Sequence, residues 1–447
     1  MINQLNKIIF SKNINFVVLT LLFLAFTLSR SFMGLYLFGF RIGEYLIAFA
    51  FLIFISFVFI NISGNKSYNL PTSFRYVLLI FFLYFLINVF ISDSNILSPY
   101  TFKTSTYIWT ISFLFFGANS KKITLSKNNL IFLEIICISV FFSNIFGYPE
   151  VLIEFFQTYS DKYELHKGSD LALFFIISTI LISKNLNYSD LGFKFIIINS
   201  SLFLPLFLYK SRAAFIGVSV YIIYELIIYF KKIKLFSFKN FLLLIFSMVL
   251  LTYSTIQSQT KVVPEEVSAD IIKNSYSTLG KYKFKHYQEE YPLLYFEDGR
   301  VFSGDGNLNW RLDMWQDEIE FVNNANKLFT GIGYKEKFTV FLVPTWNDGT
   351  NNRLGLDGLN EQIHNYFLTV FLRGGIIHLA LLFYIYYYFL RLAFIKKDFS
   401  FIIFTLSILF ISSFDSSMEN SHFPLIYYYF FGNHFFNNTT ISKSKEK

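Results

Sequence analysis

From Leu191 to Phe230 the chain reads LGFKFIIINSSLFLPLFLYKSRAAFIGVSVYIIYELIIYF. Two apolar runs, about 191–209 and 212–230, meet at Lys210-Ser211, and each is close to the roughly 20 residues needed to cross a hydrocarbon core. Two residues allow only a tight turn, so the pair reads as a helical hairpin that returns to one membrane face. Working outward, seven more runs precede residue 257, at about 14–29, 42–62, 74–92, 101–118, 129–147, 169–184 and 238–256. Three follow residue 365, at about 366–390, 399–413 and 421–436. The pattern predicts an all-α polytopic membrane protein with about twelve transmembrane helices.

Composition agrees. Of 447 residues, 54% are hydrophobic and 15% charged, whereas soluble domains carry about 25% charged residues. An ordinary soluble enzyme is excluded, and so is disorder, because the chain has ample apolar surface to bury. A net charge of +8 on a soluble protein would suggest a nucleic-acid partner. In a membrane protein it reflects lysine-rich cytoplasmic connections instead, and no nucleic acid is expected. The single cysteine, Cys137, rules out an intrachain disulfide. Lys7 and Lys12 precede the first run, but Ser29-Arg30-Ser31 follows it in place of a small-residue cleavage pattern, so the first helix is expected to remain uncleaved.

The clusters Lys121-Lys122, Lys231-Lys232-Lys234 and Lys396-Lys397 put both termini in the cytoplasm and the long polar segment outside. Three regions follow: 1–256 with about nine spans, a periplasmic loop domain at 257–365, and 366–447 with about three spans. Within the loop, Pro264 to Lys273 and Asn309 to Asn324 read as helices, the latter with Trp310, Met314, Ile319, Phe321 and Val322 on a broad apolar side. Gly304, Gly306, Gly331, Gly333, Gly349, Gly355 and Gly358 mark turns, which leaves a mainly helical loop. Glu134 and Glu225 are embedded acids near Lys127 and Lys231, where structural pairing is expected.

Three short features carry chemistry. At Lys210-Ser211-Arg212-Ala213-Ala214-Phe215-Ile216-Gly217, two cations stand where the positive-inside rule disfavours them. They either snorkel to headgroups or, given the small neighbours, hold a guanidinium inside a close-packed crevice. The second is Asn309-Trp310-Arg311-Leu312-Asp313-Met314-Trp315, followed by Leu328-Phe329-Thr330-Gly331-Ile332-Gly333-Tyr334. The Gly-x-Gly lacks the third glycine and the strand–helix unit of a phosphate loop. The third is Glu361-Gln362-Ile363-His364-Asn365-Tyr366-Phe367-Leu368, where the loop re-enters the membrane. A histidine there is shielded from bulk water yet reachable by a polar substrate, which suits a general base. No second histidine stands at zinc-ligand spacing, so neither metal nor cofactor is expected.

In this order and topology, the S-R-x-x helix end, the loop R-x-x-x-W and G-x-G, and the H-N-x-x-L entry resemble the O-antigen ligase family, whose relatives include the O-antigen polymerases. Arg373 departs from the pattern, standing where an acidic or neutral residue is expected. The resemblance implies a GT-C-like membrane glycosyltransferase of the bacterial inner membrane, inverting and metal-independent. Its donor would be a glycan on undecaprenyl diphosphate. Its acceptor would be lipid A–core, for a ligase, or a growing glycan, for a polymerase. Arg212 and Arg311, with Lys210, match positions that would neutralise the departing diphosphate. His364 would deprotonate the acceptor hydroxyl, while Asn365, Glu361, Asp313 and Trp315 would lie on the acceptor side or support the site. A transporter or flippase of lipid-linked oligosaccharide is the rival from another class. It would more typically show midplane ionisable residues or discontinuous helices.

Overall fold

The computed structural model describes residues 11–62, 71–95, 98–161, 163–164, 166–233, 238–262, 282–283, 290–297, 299–342, 353 and 360–435. The helix expected at 264–273 and the turns at Gly349, Gly355 and Gly358 lie outside them. Among the described residues nine helices are long and apolar enough to cross a membrane. They are Lys12–Met33, Ile42–Phe59, Thr72–Ile91, Lys127–Phe146, Gly168–Asn185, Asp190–Lys210, Arg212–Lys232, Phe238–Ser258 and Tyr366–Ile395. Each matches one of the twelve apolar runs.

The other three runs are built differently. The run at 101–118 is not one helix but short pieces: Pro99–Thr104, Thr106–Trp109, a 3₁₀ turn at Thr110–Ser112, and Phe113–Asn119. Thr104, Ser105 and Thr110 each bond back to the carbonyl four residues earlier, at 3.0, 2.7 and 2.9 Å, which loosens and bends helices. The runs at 399–413 and 421–436 become Phe399–Ser412 and His422–Phe435, 14 residues each. At 1.5 Å per residue each rises only about 21 Å.

The chain divides into two compact units. The first comprises Met1–Ile80, Thr106–Val262 and Ile385–Lys447. Its connections sort to two ends. At one, Lys184 Nζ lies 2.9 Å from Asp398, His434 Nε2 lies 3.4 Å from the same carboxylate, and Leu125 N donates to Asn185. At the other, Asp170 pairs with His422 at 2.9 Å and Ser169 donates to Asp415. The two 14-residue helices therefore run from end to end beside Gly168–Asn185. Phe113–Asn119 and His422–Phe435 cross closely because Gly117 and Gly432 face the opposite backbone; a Cβ on either would collide with a carbonyl of the other helix. The embedded acids are not paired with lysines. Glu134 accepts from Asn199 at 2.8 Å, and Glu225 accepts from Ser183, Tyr221 and Ser400 at 2.8–3.0 Å.

The second unit comprises Phe81–Ser105 and Val263–Tyr384. Its long helix, Gly306–Asn324, is capped by Asp305, which accepts from Leu308 N at 2.8 Å. The helix was expected, and its buried face in part: Met314 and Val322 lie inside, with Glu318 between them at i+4, while Ile319 and Phe321 lie outside. Met314 and Val322 pack with Phe338, Val340, Phe341, Ile363 and Leu372. The Glu318 carboxylate caps the 3₁₀ turn Thr339–Phe341 by accepting from the Thr339 and Val340 amides at 3.3 and 3.1 Å.

A main-chain seam joins Leu328–Tyr334 to the head of Tyr366–Ile395. Ile332 N donates to Leu372 O, Gly333 N to Arg373 O and Ile376 N to Leu328 O, at 2.8–3.0 Å. The helix breaks there, at Gly375 with φ 71°. Gly331, also at φ 71°, faces the Arg373 backbone with no room for a Cβ. The Gly-x-Gly thus serves close backbone approach. Arg373 is buried across the seam. Its guanidinium donates to the Gly333 and Glu336 carbonyls at 3.0 and 2.6 Å and stands 4.0 Å above the Phe338 ring.

Candidate active site

The periodicity of Gly306–Asn324 sets out the second unit's site. Flanking the buried stripe run two others at i, i+4 spacing: Arg311 with Trp315 on one side, and Asp313 with Asp317 on the other. Trp315 Nε1 donates to Ile363 O over 2.6 Å. The Trp310 ring lies 5.3 Å from the His364 ring. These two tryptophans therefore fix the segment carrying His364 from the side of the helix that also carries Arg311, which is half-buried.

His364 itself is half-buried between fully buried Ile363 and Tyr366. Its φ of 56° lies in the left-handed region, which a non-glycine residue keeps only when its surroundings hold it there. Asn365 is the helix cap: its Oδ1 accepts from Leu368 N at 3.0 Å. The H-N-x-x-L motif is therefore a histidine on the residue before an N-cap, aimed by the helix start that follows.

The neighbouring carboxylates are already engaged. Asp313 accepts from Arg300 at 3.3 Å and from Arg353 at 2.6 Å, and Asp317 binds the same two guanidinium groups. Glu361 lies 2.7 Å from both Lys103 and Lys337. Partial burial pushes the Glu361 carboxyl up, but the two lysines outweigh it and hold it below the ordinary range. Arg300, Arg353, Lys103 and Lys337 were not singled out in the sequence, because nothing local marks a partner tens or hundreds of residues away.

The first unit carries the Lys210–Arg212 turn. Ser211 breaks the helix and caps the next, accepting from Ala214 N at 3.3 Å. Lys210 Nζ donates to Asn144 Oδ1 at 2.7 Å and to the His166 carbonyl at 2.8 Å. It thereby pins the turn to the last turn of one span and to the connection before another. The small residues do pack closely, with Gly217 against Ile411 and Ser407, but Arg212 is exposed and not enclosed in a crevice. It stands at the first position of its helix, where the guanidinium clears the packed stripe. His166, not anticipated, is buried beside Lys210. Burial pushes it down to about 4, against the pull of Asp170 and with the Lys210 charge adding to the effect.

These features define a multi-span helical membrane protein that presents a fixed histidine where a polar segment enters a span, and an exposed arginine at the head of another. Residues 197–383 match the family model described as O-antigen ligase, a segment that contains Arg212, Arg311 and His364. The match bears out the resemblance read from the motifs and supports placing the chain in the O-antigen ligase superfamily. A comparison with curated proteins finds none that matches. The family covers ligases and related polymerases, points to a glycosyltransferase-like enzyme acting on lipid-linked glycans, and fits a multi-pass protein of the bacterial inner membrane.

Proposed function

We propose that the protein transfers a glycan from undecaprenyl diphosphate to an acceptor sugar at the periplasmic face, as a ligase, with inversion and without a metal. The observation that carries this reading is His364, held on a left-handed backbone before an N-cap and against Trp310, inside the family-matched segment. Neutral imidazole takes the proton of the acceptor hydroxyl. The acceptor oxygen bonds to the anomeric carbon as the bond to the diphosphate breaks, and undecaprenyl diphosphate leaves with the electron pair. Arg212 and Arg311 stabilise that departing charge. Lys210, committed to Asn144 and His166, positions the turn that carries Arg212. Asn365 and Trp315 position His364; the ion-paired Asp313 and Glu361 brace the loop.

The reading includes twelve crossings, with the two 14-residue helices and the broken 101–118 segment counted among them, the 257–365 segment outside and both termini inside. The lysine-rich end of the first unit, bearing Lys121, Lys184 and Lys396, supports that orientation. The test is transfer from undecaprenyl-diphosphate-linked oligosaccharide by purified protein, offered lipid A–core or a second repeat unit. Product on lipid A–core is expected; product only on the repeat unit makes the protein a polymerase. Movement of intact donor across a vesicle with no transfer would establish the flippase reading instead. His364→Ala should lose about 10²–10⁴-fold in rate while still binding the donor, and near-normal turnover in that variant would reject the base assignment.

A further inference from the structure

Two elements of the first unit that lie outside its spans share an exposed apolar surface. The hairpin Tyr36–Leu37/Phe40–Arg41 connects the first two spans. Its turn residues Phe38 and Gly39 have φ of 49° and 84°, the mirror-image turn that suits a two-residue hairpin. A phenylalanine is out of place at such a position: the backbone is strained, and the ring is 89% exposed. Tyr36, Leu37 and Phe40 are also exposed.

The second element is the helix Glu150–Tyr159. Its sequence divides the surface into three faces. Phe156 is buried against Tyr148, with ring centroids 5.9 Å apart. Glu150, Glu154 and Thr158 form a polar face. Between them Val151, Phe155 and Tyr159, at i, i+4 and i+8, form an exposed apolar stripe. The helix end and the hairpin base are stapled together. Leu35 bridges to Ser160, Asp161 N donates to Gly34 O at 3.1 Å, and Arg41 pairs with Asp161 at 2.6 Å.

We infer that hairpin and helix form one platform lying in the headgroup–acyl boundary of the membrane that the spans cross, with Phe38 and the Val151/Phe155/Tyr159 stripe inserted into lipid. Covalent geometry selects this occupant. Phe38 is four residues from the start of the second span, so at 3.3 Å per strand residue its tip cannot stray more than roughly 13 Å from it. The helix begins four residues after a span ends at Phe146. Both elements are thus tethered to span ends, where aromatic side chains settle at the bilayer boundary. The polar face is acidic, so no attraction to anionic headgroups helps, and attachment rests on apolar burial alone. This inference does not depend on the proposed transfer reaction.

Nitroxide labels on single cysteines in a Cys137→Ser background, reconstituted in phospholipid vesicles, test it. Labels at Phe38→Cys, Val151→Cys and Phe155→Cys should collide with oxygen in preference to a water-soluble nickel chelate. Labels at Glu150→Cys and Glu154→Cys should show the reverse, and neither pattern should change between low and high salt. Should Phe38→Cys fail to fold, the contrast between Phe155 and Glu154 carries the test alone. Equal nickel access at Phe155 and Glu154 would overturn the inference. So would shielding of Phe155 from both reagents, which would mean that protein covers the stripe.

Discussion

Trp315 donates its indole N–H to the carbonyl of Ile363 over 2.6 Å, so one ring on a loop helix holds the backbone directly before His364. Trp315→Phe keeps an aromatic ring but removes the donor, leaving a carbonyl without its partner beside a fully buried side chain, at a cost of about 1–3 kcal/mol. Transfer should fall about tenfold, since 1.4 kcal/mol on the barrier is a factor of ten. If Trp315 acts through His364, the double variant with His364→Ala should be no slower than His364→Ala alone. Multiplying losses in the transfer assay would give Trp315 an independent role.

Glu361 should be dispensable as a base. Its carboxyl is held low by Lys103 and Lys337, so it accepts protons poorly at neutral pH, and Glu361→Gln should keep turnover within about threefold of the parent. Because the folded value is lowered, the ion pairs' contribution is complete above the ordinary carboxyl range and is lost as pH falls through the folded value. Thermal unfolding in detergent, followed from neutral to acidic pH, should show that acid-dependent loss in the parent and not in the glutamine variant.

Arg212 is exposed at the start of its helix, so replacing it should not disturb the fold. Arg212→Ala should reduce transfer more than Arg212→Lys, which retains charge but not the planar fork. Turnover in EDTA should match that in magnesium; loss in EDTA restored by magnesium would reject the metal-free mechanism.

Gly375→Ala should be among the most damaging single changes outside the chemistry. It combines a φ of 71° with a Cβ that would meet the Phe329 carbonyl and the Thr330 amide. Backbone strain alone costs about 1–3 kcal/mol. Gly299 has a comparable φ of 79° with open space around it, so Gly299→Ala isolates the strain and should lower the unfolding temperature less.

Glu320 lies exposed on the loop helix. In a Cys137→Ser background, Glu320→Cys should react with an impermeant thiol reagent once the outer membrane alone is opened. Reaction only after the inner membrane is breached would reverse the topology.

Nine long spans and the Gly306–Asn324 helix were readable because each depends on local composition and periodicity. So were the residues of the His364 junction, though not their division of labour: Asn365 as cap and Trp315 as backbone anchor emerge only when distant segments meet. The 101–118 run misled because hydropathy marks an apolar segment without registering where its backbone breaks into short turns. Glu318 carries no local signal of its role: it is fully buried and caps a turn 21 residues further on. Arg353 and Asp313, 40 residues apart, left no local signature of their pairing.

The seam between Leu328–Tyr334 and Leu372–Ile376 is made from amides and carbonyls, even the Asn88 side chain reaching it through the Thr330 carbonyl. Thr330 contributes mainly its main chain to it, so its identity is free to drift, while Leu328 and Ile332 also pack on the core around Met314 and Val322. Gly331 and Gly375 have no such latitude. Homologues sharing this architecture should therefore agree at these two glycines, a constraint that scoring by side-chain similarity undervalues.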